Sequence, residues 1–181
     1  MTLRDKKLII LDRDGVINED SHRYIKSVDE FIPLPGSLQA IKKLNDAGKL
    51  VAVATNQSGI ARGLFSLDTL KAQFNYLNDL LTQRNAHLDA WVYCPHGPND
   101  SCDCRKPKAG LLKTLLRCFN MDVKNAVIIG DSLRDLQAAH SIAMDAILVK
   151  TGKGRQTLGK NKISVPVYDD LAAAAEMFVD E

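Results

Sequence analysis

Asp12-Arg13-Asp14-Gly15 sets two carboxylates two residues apart, directly after the apolar run Leu8 to Leu11. Residues two apart on a strand share a face, so where the strand ends both acids can enter one crevice, the usual ligand position in an open α/β sheet. One can attack phosphorus while the other moves protons, the division of labour that phosphoryl transfer needs. Gly15 tolerates positive φ and lets the chain turn away. Alone, the tetrapeptide fits a solvated turn as well, since Asp and Gly are ordinary turn residues. Its partners decide between the two.

Thr55-Asn56-Gln57-Ser58-Gly59 follows a second apolar run just as abruptly, and a hydroxyl there can bind a phosphoryl oxygen; a polar loop capping a helix reads the same. Arg105-Lys106-Pro107-Lys108 places cations ahead of a helical segment. Lys106 is the expected partner of the phosphoryl group, because a point charge on a flexible stem can neutralise the equatorial oxygens of the transition state. Gly130-Asp131-Ser132-Leu133-Arg134-Asp135 closes a further apolar run. Asp131 is placed to complete a magnesium site, and Asp135 lies one helical turn on as support. Taken singly, these two stretches also fit a solvated basic turn and an N-cap with a surface acid.

Cys94-Pro95-His96 and Cys102-Asp103-Cys104 offer three thiolates and an imidazole as C-x-H-x5-C-x-C, a spacing that can close a tetrahedron. Zinc is the natural occupant, and four protein ligands make a structural role the expected one. Arg105 and Lys106 follow the last ligand at once, so the metal would stiffen the loop and aim both cations at the pocket. Cys118 reads as a buried thiol on the apolar side of its helix, and His22, His87 and His140 as surface or core histidines.

Five short apolar runs must carry these residues: Leu8 to Leu11, Leu50 to Ala54, Ala90 to Tyr93, Ala126 to Ile129 and Ala146 to Val149. Each is flanked by polar or Gly-containing turns and reads as a buried parallel strand. Between them lie segments of helical period: Leu38, Ile41 and Leu44 after an N-cap at Ser37; Leu67 to Leu81 after Ser66; Leu111 to Phe119 after Pro107; and Leu133 and Leu136 after Asp131 and Ser132. The alternation predicts a mostly parallel sheet with helices on both faces and right-handed crossovers. Residues 18–35, with Tyr24, Ile25, Phe31 and Ile32, are predicted to form a small flap over the pocket. Gly152 to Ser164, rich in Lys, Arg and Gly, reads as a mobile surface loop before a strand near Val165 to Tyr168 and a helix from Asp170.

The 181 residues are 45% hydrophobic, enough to bury one core, so a single domain over 1–181 is expected. A net charge of +2 is too mild and too spread to indicate nucleic acid or a membrane surface, which leaves a small partner and a monomer as the expectation. Arg4 to Lys7 precedes only four apolar residues, too few for a signal peptide, and there is no 18-residue apolar run; a cytoplasmic place is expected.

In order, the four motifs resemble those of the haloacid dehalogenase-like phosphatases, from Leu8 to about Gly154. The resemblance implies a three-layer, Rossmann-like α/β fold with no large cap domain. It implies that Asp12 attacks phosphorus to form an aspartyl-phosphate and that Asp14 protonates the leaving alkoxide, then activates the hydrolytic water. Mg²⁺ would be held by the Asp12 carboxylate, the Asp14 carbonyl and the Asp131 carboxylate, with Thr55 and Lys106 stabilising the phosphoryl group. Ser58-Gly59-Ile60-Ala61-Arg62-Gly63, Cys104-Arg105-Lys106-Pro107, Lys150-Thr151-Gly152-Lys153 and the cysteine loop are similar to the heptose-1,7-bisphosphate 7-phosphatase family. That similarity implies release of the 7-phosphate from D-glycero-D-manno-heptose 1,7-bisphosphate, on the way to nucleotide-activated heptose for surface polysaccharide. Arg105 would recognise the substrate, and the flap with Asp20 and Tyr24, together with Thr55, Asn56, Gln57 and Ser58, would line the sugar site.

There are departures. The loop between His96 and Cys102 has the shorter length of the related histidinol-phosphate phosphatases, which makes histidinol phosphate the alternative substrate. The flap reads Asp20-Ser21-His22-Arg23-Tyr24 where a shorter Gly-Tyr form is usual. Asp145 stands at a turn where Gly is usual, as a residue that visits left-handed backbone readily. A nucleic-acid 3'-phosphatase is disfavoured because no aromatic residues interleave with a basic stripe. A non-catalytic zinc-stabilised binding protein is disfavoured because Asp12, Asp14 and Asp131 are all present.

Overall fold

Leu8–Leu11 (β1) is fully buried, and a strand buried on both faces needs cover on both. The computed structural model describes residues 2–179. After β1 the elements run α1 (Ser37–Asp46), β2 (Leu50–Asn56), α2 (Leu67–Thr82), β3 (Ala90–Cys94), α3 (Gly110–Cys118), β4 (Ala126–Gly130), α4 (Leu133–His140), β5 (Asp145–Val149), α5 (Gly154–Lys160), β6 (Val167–Tyr168) and α6 (Leu171–Ala175). All six strands are parallel, in the order β3-β2-β1-β4-β5-β6. Alternation along β1 divides the core. Ile9 and Leu11 pack with Leu44, Leu70, Phe74 and Leu171 of α1, α2 and α6, whereas Leu8 and Ile10 pack with Leu112, Leu115 and Leu136 of α3 and α4. The result is a three-layer α/β fold, with no large cap domain among the described residues. No helix among them is long and apolar enough to cross a membrane.

The chain order reverses at β1, whose neighbours β2 and β4 lie on opposite sides. Leu11 pairs with Val53 and with Ile129, so the residues after β1 and β4 emerge side by side at the carboxyl edge. This is the crevice where open α/β sheets bind ligands.

Local chemistry moved several boundaries. Gly36, at φ 78°, caps α1 in place of Ser37, whose buried hydroxyl donates to the Ile17 carbonyl at 2.7 Å. α3 starts at Gly110, one residue before the expected Leu111, where Gly110 lies against the Asp103 carbonyl and a Cβ would come within 2.2 Å of it. Gly152 to Ser164 is not a free loop: α5 forms within it, and Thr157 donates to the Asp131 carbonyl at 3.0 Å. That tether comes from across the fold and leaves no local signal. Cys118 is exposed at the end of α3, outside the buried stripe of Leu111, Leu112 and Leu115. Asp145 opens β5 and pairs with Lys6, while the left-handed residue of that turn is Ala143 at φ 55°. In the flap, Ile25 and Phe31 fold into the core, but Ile32 faces solvent.

Candidate active site

Asp12 continues β1 by one more ladder bond, its N–H donating to the Ile129 carbonyl at 3.0 Å, and its carboxylate enters a cavity of about 340 Å³ at the switch point. Lys106 reaches it from the loop before α3. Its Nζ lies 3.0 Å from Asp12 and 2.5 Å from Asp135 and donates to the Ala54 carbonyl at 2.8 Å. Lys106 and Asp135 are both buried. Asn56 fixes the lysine's backbone, accepting its N–H at 3.1 Å and donating to its carbonyl at 3.0 Å. Asp135 also caps α4, accepting from the Ser132 N–H at 3.1 Å and the Ser132 hydroxyl at 2.5 Å. Asp135 thus supports the site as a buried counter-charge to Lys106.

Asp131 ends in a cradle of two glycines. A Cβ on Gly15 or on Gly152 would come within 2.2 Å of its Oδ2, and the same oxygen accepts the Lys153 N–H at 2.7 Å. Asp12, Asp131 and Asp135 offer carboxylate oxygens within 4.8 Å of one another. Burial pushes Asp131 up to about 8, with Asp12 and Asp135 adding to it. Burial likewise pushes Asp12 up to about 6, against the pull of Lys106. Burial works the same way on Asp135, but Lys106 and Ser132 outweigh it and hold that carboxyl below its ordinary value. The group carries more negative charge than its one buried lysine neutralises, and its donors are hard oxygens. That fits a small divalent cation.

Asp14 lines the same cavity but turns its carboxylate away from the other three. It accepts from Arg13 Nε at 3.0 Å and Arg13 Nη2 at 2.8 Å, from Asn18 at 2.9 Å and from Gln57 Nε2 at 2.9 Å. Gln57 also donates to the Thr55 hydroxyl at 2.9 Å. Expected as sugar contacts, Asn56 and Gln57 line the cavity yet spend these bonds on Lys106, Asp14 and Thr55. Asp20, Tyr24 and Ser58 line it as well. Asp20 pairs with Lys153 at 2.6 Å, and Tyr24, at φ 66°, stacks under Arg62.

Cys94 ends β3, and the loop after it brings His96, Cys102 and Cys104 back so that the four ligand atoms lie within 4.8 Å of one another. Cys94 Sγ stands 3.8 Å from Cys102 Sγ and 3.5 Å from His96 Nδ1, near the ~3.8 Å edge of a tetrahedron with Zn–S bonds of ~2.3 Å, while Cys104 Sγ lies closer in, 2.7 Å from Cys94 Sγ and 3.2 Å from His96 Nδ1. Burial pushes the Cys94 thiol well up, so a bare thiolate is disfavoured there without a cation. The donor set fits zinc. Arg105 donates to the His96 carbonyl at 3.1 Å, which couples the loop to the cavity wall.

Arg13, Asn18, Arg134 and Lys153 lie within the motifs and the flap but carry no individual role in the sequence, and Gln73, which supports the site, lies outside every motif. Gln73 had one available signal, a polar residue at an inward position between Leu70 and Phe74.

A family model described as HAD-hydrolase-like matches residues 103–174. A D-glycero-beta-D-manno-heptose-1,7-bisphosphate 7-phosphatase from Pseudomonas aeruginosa is 50% identical over 94% of this chain and 96% of its own length. One of the same name from Bordetella bronchiseptica is 49% identical over 97% and 99%. Among solved structures, the D,D-heptose 1,7-bisphosphate phosphatase from B. bronchiseptica, complexed with magnesium and phosphate, superposes with a TM-score of 0.91 at 50% identity, covering 94% of this chain and 96% of that one. The corresponding enzyme from Burkholderia thailandensis gives 0.76 at 40% identity over 97% and 100%.

Proposed function

This chain belongs to the D-glycero-beta-D-manno-heptose-1,7-bisphosphate 7-phosphatase family of haloacid dehalogenase-like hydrolases, and from that premise we propose that it releases the 7-phosphate of the β-heptose bisphosphate. The observation that carries this reading is the Asp12 carboxylate at the cavity floor with the buried Lys106 ammonium 3.0 Å away. An Asp12 oxygen attacks phosphorus as the bond to O7 breaks, and Asp14 gives the departing alkoxide its proton. Asp14 then takes a proton from water, whose oxygen displaces Asp12 from phosphorus and frees phosphate. Lys106 and the Thr55 hydroxyl hold the phosphoryl oxygens throughout, which is most of what this chemistry asks of a protein. Asp12, the Asp14 carbonyl and Asp131 would hold Mg²⁺, which supplies charge neutralisation at the phosphoryl group when bound.

The cavity wall favours a second anion. Arg62, Arg105, Arg134 and Lys153 all line it, and Arg134 makes no hydrogen bond or ion pair among the described residues. Burial, and after it the nearby Arg134 guanidinium, hold Arg105 below its usual value, so an anion beside the two guanidiniums would be a counter-ion to both. A sugar bisphosphate supplies that counter-ion, whereas histidinol phosphate would bring an ammonium. Phosphate release across both heptose 1,7-bisphosphate anomers, histidinol phosphate and a 3'-phosphorylated oligonucleotide should therefore rank the β-bisphosphate first by kcat/KM. A higher value for histidinol phosphate would reverse the assignment.

Magnesium affinity should follow the raised carboxyls. Between the ordinary carboxylate range and about 8, the metal-free folded state binds more protons than the unfolded chain, so its stability falls as pH rises through that window. Binding the metal displaces those protons, so the Kd for Mg²⁺ should tighten from about pH 6 to about pH 8. Calorimetric titration giving a flat Kd over that range would contradict the picture.

For Cys94, His96, Cys102 and Cys104 we propose one structural zinc per chain. Cys102→Ser should cost several kcal/mol, on the order of an opened zinc site, and metal analysis of protein purified without chelator should return one equivalent. A preparation with no zinc, as stable as the loaded protein, would remove the zinc from the account.

A further inference from the structure

Gln73 is fully buried on α2, in the stripe that includes Leu70, Phe74 and Leu77, where a side-chain amide is costly unless its polar atoms are bonded. Its bonds fix its orientation. Oε1 accepts from Arg13 Nη1 at 2.6 Å, and Nε2 donates to the flap carbonyls of Ile25 at 2.9 Å and Ser27 at 3.4 Å. Arg13 is buried too, its guanidinium 5.7 Å from the centroid of Phe31 in the flap and 5.9 Å from that of Phe74 on α2. The remaining face of that guanidinium is spent on Asp14, with Nε 3.0 Å and Nη2 2.8 Å from Oδ1. A chain of direct bonds therefore runs from the flap backbone through Gln73 and Arg13 to the Asp14 carboxylate. Leucine would fill the stripe as well as glutamine does. It would leave Arg13 Nη1 and the two flap carbonyls unpaired.

We propose that Gln73 is a positioning residue for proton transfer, setting the Asp14 carboxylate through Arg13. The inference rests on the phosphatase reading, in which Asp14 protonates the leaving oxygen. It separates two kinds of ester. A sugar alkoxide needs that proton to depart, whereas 4-nitrophenolate leaves without one.

The test compares kcat/KM for the heptose bisphosphate and for 4-nitrophenyl phosphate in wild type, Gln73→Leu and Gln73→Glu, with magnesium present. Misplacing the acid should lower the sugar-ester value on the order of 10²-fold in Gln73→Leu, while the aryl ester falls by no more than about threefold. Gln73→Glu keeps an acceptor for Arg13 and should recover to within about tenfold of wild type on the sugar ester. Equal losses on both esters in a folded Gln73→Leu, or no loss on either, would overturn the relay alone. If wild type prefers another alkyl phosphate, the substrate reading fails and the relay is judged on that ester. Should Gln73→Leu fail to fold, Gln73→Met removes the same bonds with an unbranched chain, and failure of both would assign Gln73 to stability and overturn the proposal.

Discussion

Asp12→Asn is expected to abolish phosphate release, by about 10⁴-fold or more, in a protein that stays folded. The neutral amide oxygen is too weak a nucleophile and cannot yield an acyl-phosphate, and without the negative charge it binds a divalent cation less tightly. Stability should not suffer. Burial already pushes the Asp12 carboxyl up to about 6, so at neutral pH the folded state strains to keep it charged. Asn removes that charge at nearly constant volume, and Lys106 retains Asp135 at 2.5 Å as its counter-ion. Metal-free thermal denaturation should therefore give a Tm equal to or above wild type. Full turnover in the Asn variant would mean that another group attacks phosphorus.

Lys106→Met should damage both activity and stability. Lys106 is the cation between Asp12 and Asp135, and removing one partner of a buried ionic group typically costs about 3–5 kcal/mol, because the remaining charges have neither water nor counter-ion. Activity should fall by about 10²–10³-fold or more, since the phosphoryl group loses a preorganised cation. The double variant Lys106→Met/Asp135→Asn separates the effects. It removes one orphaned carboxylate and should regain part of the stability without regaining the rate, a coupling that a double-mutant cycle reads by urea denaturation. If Lys106→Met is as stable as wild type, the buried network does not support the fold.

Much of this molecule is written locally. Each buried strand is a short, uninterrupted apolar run, and each main helix shows a stripe at its own period, because a segment covered on both faces and one covered on one face need different patterns. The β-α order then leaves few topologies. The chemistry was legible for the same reason: Asp12, Thr55 and Asp131 lie at strand ends, which the edge of a parallel sheet gathers into one crevice. The four residues of the cysteine-histidine cluster could likewise be named from type and spacing, whereas the full magnesium set rested on the family resemblance, and the structure gathers Asp135 with Asp12 and Asp131.

Direction and partnership were not legible, because they depend on what arrives from elsewhere in the chain. Asp14 sits two residues from Asp12, yet it faces away from the acidic group, toward Gln57 from 43 residues on and toward Arg13, which Gln73 holds from 60 residues on. Asn56, expected as a sugar contact, lines the cavity and also holds the Lys106 backbone. The basic stretch after Gly152 gave no sign of helix, because its anchor is the Asp131 carbonyl, and Cys118 escaped burial because helix α3 ends there. The residue pattern by itself determined the sheet and its layers, and it named the candidate residues at the strand ends, since burial periodicity and strand-end position are local properties. Only the tertiary structure decided which carboxylate points where, that Asp135 serves as the second counter-ion of Lys106, and that Gln73 joins the flap to Arg13. A buried polar side chain takes its direction from partners that satisfy it, and those partners lie tens of residues away.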